Sequence, residues 1–257
     1  SINGHAIEAR LYAENPAKGF LPSPGPILVW KPATAGGARF DSGVEAGSEI
    51  STQFDPMIAK VIVHAKTRNE AITRLARVLE TTRIQGLTTN RDFLVATLRT
   101  DAFISGDTTT DFIERVNPDR SQTPSEDYLR QAAIASAVEL RAKRGQAAKV
   151  LKGIPRGWRN SHLPPQRFAV SFGEEVLNLE YRTLRDQTLS FDISGQTFNV
   201  EIFEAGQGLV DCRIGARRVK FNVDRQDDEL LVHGPEGDVT LHCLPRFPRK
   251  DASDLGG

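Results

Sequence analysis

From Val170 to Cys243 the chain alternates apolar and polar residues with a period of two, and no other feature constrains its fold as strongly. The alternation runs through Val170–Phe172, Leu177–Tyr181, Leu189–Ile193, Phe198–Ile202, Leu209–Ile214, Val219–Val223, Leu230–Val232 and Val239–Cys243. A period of two places every second side chain on one face of a strand. Turn formers separate the segments: Gly173-Glu174, Asp186-Gln187, Ser194-Gly195, Gly206-Gln207-Gly208, Gly215-Ala216, Asp227-Asp228 and Gly234-Pro235-Glu236-Gly237. Strands about 8–12 residues apart, joined by such turns, predict an antiparallel meander. Eight of them in order predict a closed barrel, since closure removes exposed strand edges.

The texture before the barrel is different. Ser125 stands where it can cap a helix over 126–144. Leu129, Ala132, Ala133, Ser136, Ala137 and Leu140 give that helix a narrow seam of small side chains, suited to lying against or inside a sheet. Ahead of it, the polar stretch Asn117–Glu126 contains two prolines and reads as a linker. The first half mixes an alternating, half-buried strand (Ile7–Ala13) and compact apolar runs of strand length (Ile27–Trp30, Ile58–Val63) with helices. Thr67 and Glu70 have capping-box spacing before a helix over 68–82, whose Ala71, Ile72, Leu75, Val78 and Leu79 share a face. Asn90 is placed to cap a second helix carrying Phe93, Leu94 and Leu98. Thr108 and Asp111 repeat the capping-box spacing before a short helix at 112–115. This half is α+β, with helices on one side of a mostly antiparallel sheet.

Composition narrows the function. Lys+Arg and Asp+Glu number 33 each, so no global field draws the chain to nucleic acid or to an anionic membrane. No apolar run approaches the roughly 20 residues that span a bilayer, and Ser1–His5 has neither the basic start nor the apolar core of a signal peptide. Cys212 and Cys243 lack metal-type spacing and read as reduced, small apolar residues. Histidines 5, 64, 162, 233 and 242 are scattered, and those at 233 and 242 sit in strands as satisfied or surface groups. There is no GxSxG, HExxH, CxxC or phosphate-cradling glycine loop. No self-sufficient active site is legible.

Three blocks in fixed order change the reading: Gly4-His5-Ala6-Ile7-Glu8-Ala9-Arg10, Phe20-Leu21-Pro22-Ser23-Pro24-Gly25 and Phe54-Asp55-Pro56-Met57-Ile58-Ala59-Lys60. Together they resemble the C-terminal lobe of biotin carboxylase, an ATP-grasp enzyme, across residues 2–116. The helix and barrel resemble, more loosely, the interaction (BT) domain of acyl-CoA carboxylase α subunits of the propionyl-, methylcrotonyl- or acetyl-CoA type. Gly157-Trp158-Arg159-Asn160 and Leu244–Pro248 look like that domain's flanking segments. The expected fold is thus α+β, a mixed, mostly antiparallel sheet with helices, then a helix and an eight-stranded antiparallel β-barrel. The expected divisions are a carboxylase lobe at 1–117, a linker at 118–126, a BT domain at 127–247, and a flexible tail at 248–257 leading toward a biotin carrier domain.

The resemblance implies chemistry that the residues alone do not. Biotin carboxylases use ATP, bicarbonate and Mg2+ or Mn2+ to carboxylate the ureido nitrogen of biotin. The family sets an arginine against the ureido oxygen, just before an Asp/Glu-Ser pair. Gly37-Ala38-Arg39-Phe40-Asp41-Ser42-Gly43-Val44-Glu45 matches that segment, which implies a catalytic, biotin-facing role for Arg39. From residue physics alone, Arg39 reads instead as a strand-end arginine paired with a surface carboxylate. Thr110, in Thr108-Thr109-Thr110-Asp111, matches a segment near the family's adenine pocket. Lys60 reads as a structural residue that snorkels, and Gly86–Asn90 as a turn plus helix cap. The family's glycine loop, metal-binding glutamates and general base belong to preceding segments, and the biotinylated lysine between methionines has no match, Met57 being the only methionine.

The chain is therefore expected to be part of a longer carboxylase, inactive by itself. Its expected partners are the remaining biotin carboxylase domains, a biotin carrier domain and a carboxyltransferase β subunit, in bacterial cytoplasm or mitochondrial matrix. The alternative is a non-catalytic assembly module. A pyruvate or urea carboxylase is a third reading, the short barrel arguing against the pyruvate enzyme.

Overall fold

The computed structural model describes residues 3–147 and 164–245. The expectations for Gly157–Asn160, His162 and the tail beyond residue 245 lie outside the described residues. The chain divides into two compact units, Ser1–Thr123 and Pro124–Gly257.

In the first unit, β1 (His5–Tyr12) leads to the short strands β2 (Glu14–Asn15), β3 (Leu21–Pro22), β4 (Gly25–Pro26) and β5 (Val29–Lys31). Strands β6 (Arg39–Ser42), β7 (Glu49–Ile50) and β8 (Met57–Ala65) follow. Helix α1 (Arg68–Thr81), strand β9 (Arg83–Gln85) and helices α2 (Arg91–Leu98), α3 (Asp101–Ser105) and α4 (Phe112–Val116) complete the unit. An antiparallel sheet has the order β1-β8-β6, and three two-stranded ribbons pair β2 with β3, β4 with β7 and β5 with β9. Alternation in β8 turns Ala59, Val61, Val63 and Ala65 inward; Val61, Val63 and Ala65 meet Ala71, Ile72, Leu75, Val78 and Leu79 of α1, while Ala59 packs with Leu11, Ile27 and Ile84. The capping box forms as the spacing predicts: the Thr67 hydroxyl accepts the Glu70 N–H at 3.2 Å and the Glu70 carboxylate accepts the Thr67 N–H at 3.3 Å.

Two cap expectations are corrected. Asn90 occupies the N-cap position of α2 but makes no side-chain cap bond. Its amide instead accepts the Tyr12 N–H at 2.9 Å and donates to the Arg10 carbonyl at 3.2 Å, tying the helix to β1. Before α4, Asp111 is the N-cap residue and likewise makes no cap bond. Its carboxylate is taken by the Thr109 hydroxyl, so Thr108 forms no box. Gly86 is required where it stands: φ is +113°, and a Cβ there would lie 2.4 Å from the Pro26 carbonyl oxygen.

The second unit begins with α5 (Glu126–Ala147) and continues through β10 (Gln166–Phe172), β11 (Glu175–Thr183), β12 (Leu189–Ile193) and β13 (Gln196–Gly206). Strands β14 (Leu209–Ile214), β15 (Arg217–Gln226), β16 (Glu229–Gly234) and β17 (Gly237–Cys243) follow. The eight strands form a closed antiparallel barrel, with β17 returning to β10 through Val170↔Cys243 and Ser171↔His242. Ser125 caps α5 through its hydroxyl, which accepts the Tyr128 N–H at 3.1 Å. Every residue from Ala132 to Leu140 is buried, so the helix is enclosed all round over this stretch rather than along one seam. It touches β10, β11 and β13–β17 and joins one core with Phe191, Phe221, Leu230, Val232 and Leu241. Side chains and helix together fill the barrel. Cys212 belongs to that core as an apolar residue, and burial pushes its thiol up to about 12.

Candidate functional site

Arg39 opens β6, and the strand period places Arg39 and Asp41 on one face while Phe40 packs toward the core. That face is the one α1 leaves uncovered. Register extends it across the sheet: Arg39 lies beside Ile62, which lies beside Glu8. In the next row Asp41 lies beside Lys60, which lies beside Arg10. Three cations and two carboxylates thus share an open, three-stranded surface.

The Arg39 guanidinium grips Asp41 with two bonds, Nε to Oδ1 at 2.8 Å and Nη2 to Oδ2 at 2.6 Å. Such fork-to-carboxylate pairing fixes the plane of the guanidinium as well as its position. The Arg39 side chain is nonetheless 74% exposed and that of Asp41 42%. The hydrogen bond to Asp41 raises the Arg39 pKa, and the same bond, aided by Lys60, holds the Asp41 carboxyl below its usual range. Arg10 is similarly bonded through Nε to Glu8 at 3.3 Å, which raises its pKa. In this chain Arg39 therefore has the geometry of the strand-end arginine with a surface carboxylate.

The structure brings Arg39 together with residues to which the sequence reading gave no chemistry. Lys60 does emerge half-exposed from a core strand, as a snorkelling lysine would, but it emerges between Asp41 and Arg10. Asp41 was legible in principle, because positions i and i+2 of a strand share a face. Arg10 and Lys60 were not, because only the pairing of strands distant in sequence, β8 with β6 and with β1, aligns them. Thr110 belongs to a separate exposed turn before α4, beside the Thr109–Asp111 bond and an Arg115–Asp107 pair at 2.9 Å. Among the described residues no group of three or more His, Cys, Asp or Glu could hold a metal ion. His233 is satisfied by Asp238 at 2.7 Å.

Known proteins resemble both units. Residues 8–115 match the biotin carboxylase C-terminal domain, and residues 125–246 match the BT domain of the methylcrotonyl-CoA carboxylase α subunit. The mitochondrial methylcrotonoyl-CoA carboxylase subunit α of Oryza sativa subsp. japonica is 41% identical over 253 residues, 93% of this chain and 34% of that protein. The mitochondrial propionyl-CoA carboxylase α chain of Rattus norvegicus is 36% identical over 257 residues, 95% of this chain and 33% of that protein. Biotin carboxylase 2 of Bacillus subtilis (strain 168) is 45% identical over 113 residues, 44% of this chain and 25% of that protein. The chain thus spans about a third or a quarter of the length of these relatives. Its first unit belongs to the biotin carboxylase C-terminal domain family, and its second to the BT domain family of acyl-CoA carboxylase α subunits.

Proposed function

We propose that this chain is part of the α subunit of a biotin-dependent acyl-CoA carboxylase. Its first unit completes the site for ATP- and bicarbonate-dependent carboxylation of carrier-bound biotin, and its second docks the carboxyltransferase β subunit. The observation that carries the first half is Arg39 on an open sheet face, fixed by Asp41 along one edge of its guanidinium and free along the other. Biotin supplies the ureido nitrogen that receives the carboxyl group. As that nitrogen loses its proton, charge gathers on the ureido oxygen, and Arg39 donates hydrogen bonds to it. A permanent, planar cation aimed at developing charge acts where stabilisation counts most, in the transition state.

An open face suits a ligand delivered by another domain. In this reading other segments of the full-length subunit hold the metal and most of the nucleotide, Thr110 is the candidate contact on the nucleotide side, and the chain alone is inactive. For the second unit, a barrel filled by its own helix leaves surface rather than cavity as its working part, which favours docking over catalysis. Relatives named as mitochondrial, and one from a bacterium, support a mitochondrial matrix or bacterial cytoplasmic setting.

The test is ATP-dependent carboxylation of biotin by the full-length α subunit. Arg39→Ala is expected to lower kcat by at least about 10²-fold, as loss of an oxyanion donor does, with unchanged Tm. Wild-type turnover in that variant removes Arg39 from the mechanism. A full-length wild-type protein without the activity leaves the chain as an assembly module.

A further inference from the structure

The grip of Asp41 on Arg39 has no evident part in holding the fold. The Arg39 side chain is largely exposed and that of Asp41 partly so, on one short strand, where an ion pair contributes little to stability. What the pair does is orient. An unpaired arginine samples many rotamers, whereas a guanidinium held at Nε and Nη2 has its plane and direction set. The held edge leaves Nη1 and the second Nη2 hydrogen facing away from Asp41, a ready fork for a single oxygen. The pairing would also neutralise Arg39, were it not for the adjoining row. Lys60 stands beside Asp41 and Arg10 beside Lys60, so the face keeps more positive than negative charge.

We propose that Asp41 is a positioning residue, one that presets Arg39 for the ureido oxygen before the ligand arrives and without touching the ligand itself. This rests on the role proposed above for Arg39 and extends it. Preorganised donors avoid reorganisation during reaction, whereas small misplacements of a catalytic group can cost up to about 10²-fold in rate.

The experiment uses the full-length α subunit with free biotin as probe, measuring kcat, KM for biotin, KM for ATP, and Tm. Asp41→Ala is expected to reduce kcat by about tenfold or more, within the range that misplacement causes, with KM for ATP and Tm unchanged. Asp41→Glu, which keeps a carboxylate, is expected to recover part of the rate, and Asp41→Asn less of it. In an Arg39→Ala background, Asp41→Ala is expected to have no further effect, because there is no guanidinium left to position. Full turnover by Asp41→Ala beside a crippled Arg39→Ala overturns the inference and leaves the proposed function standing. An equal loss from Asp41→Ala in both backgrounds also overturns it, since Asp41 would then act independently. Full turnover by Arg39→Ala overturns the proposed function itself.

Discussion

Asn90 shows how far one side chain's role can depart from the position it occupies. It stands where a helix cap belongs, and sequence reads it so, yet its amide spans to β1 and binds both Tyr12 N–H and the Arg10 carbonyl. The residue is 6% exposed, so removing its amide leaves backbone groups unpaired away from water. Asn90→Ala is therefore expected to cost about 1–3 kcal/mol, the penalty for stranded buried polar groups, read as a lower urea midpoint. A cap role alone would cost about 1 kcal/mol. Arg39 is the converse case. Its motif was legible, and so was a carboxylate partner, because strand alternation sets Arg39 and Asp41 on one face. Its neighbours Lys60 and Arg10 were set by strand register, a property of distant segments.

Among the elements, α5 is more deeply enclosed than its sequence pattern implies. Six small or apolar residues suggested a seam, whereas burial extends without a break from Ala132 to Leu140. The missing signal lies in Ile134, Ala135, Val138 and Glu139, which sit off the seam and signify burial only once a closed barrel surrounds them. Glu139 survives there because its Oε1 accepts the Gly208 N–H at 2.8 Å, pinning the helix to the β13–β14 turn. A filled interior tolerates no added volume, so Ala133→Leu is expected to destabilise the barrel by about 1–3 kcal/mol, measured by thermal melting. On the barrel's outer surface Asp211 is only 2% exposed, covered by Arg218 at 2.8 and 2.9 Å and Lys220 at 3.2 Å. The Arg218 bond first, and Lys220 next, hold its carboxyl at about 2. A folded pKa below the unfolded value of about 3.9 gives stability that is complete above that value and lost as pH falls toward 2. Asp211→Asn should accordingly melt lower than the unaltered chain at pH 5, and the gap should close between about pH 4 and pH 2.

For the whole molecule, the barrel was fully legible and the first unit only partly, for one physical reason. A closed meander pairs each strand with its sequence neighbours, so local alternation and turn residues specify it almost completely. The first unit pairs β1 with β8 and β5 with β9 across long intervals, and those partnerships leave no periodic trace. The division into two compact units makes the two proposed roles separable in the full-length subunit. Phe191 is fully buried in the barrel core, and Phe191→Ala should cost about 3–5 kcal/mol there. That variant is expected to lose co-purification with the carboxyltransferase from the native host while still carboxylating free biotin. Arg39→Ala should do the reverse, retaining the partner and losing carboxylation. Loss of both properties in either variant would show that carboxylation and docking depend on one cooperative structure rather than on two units.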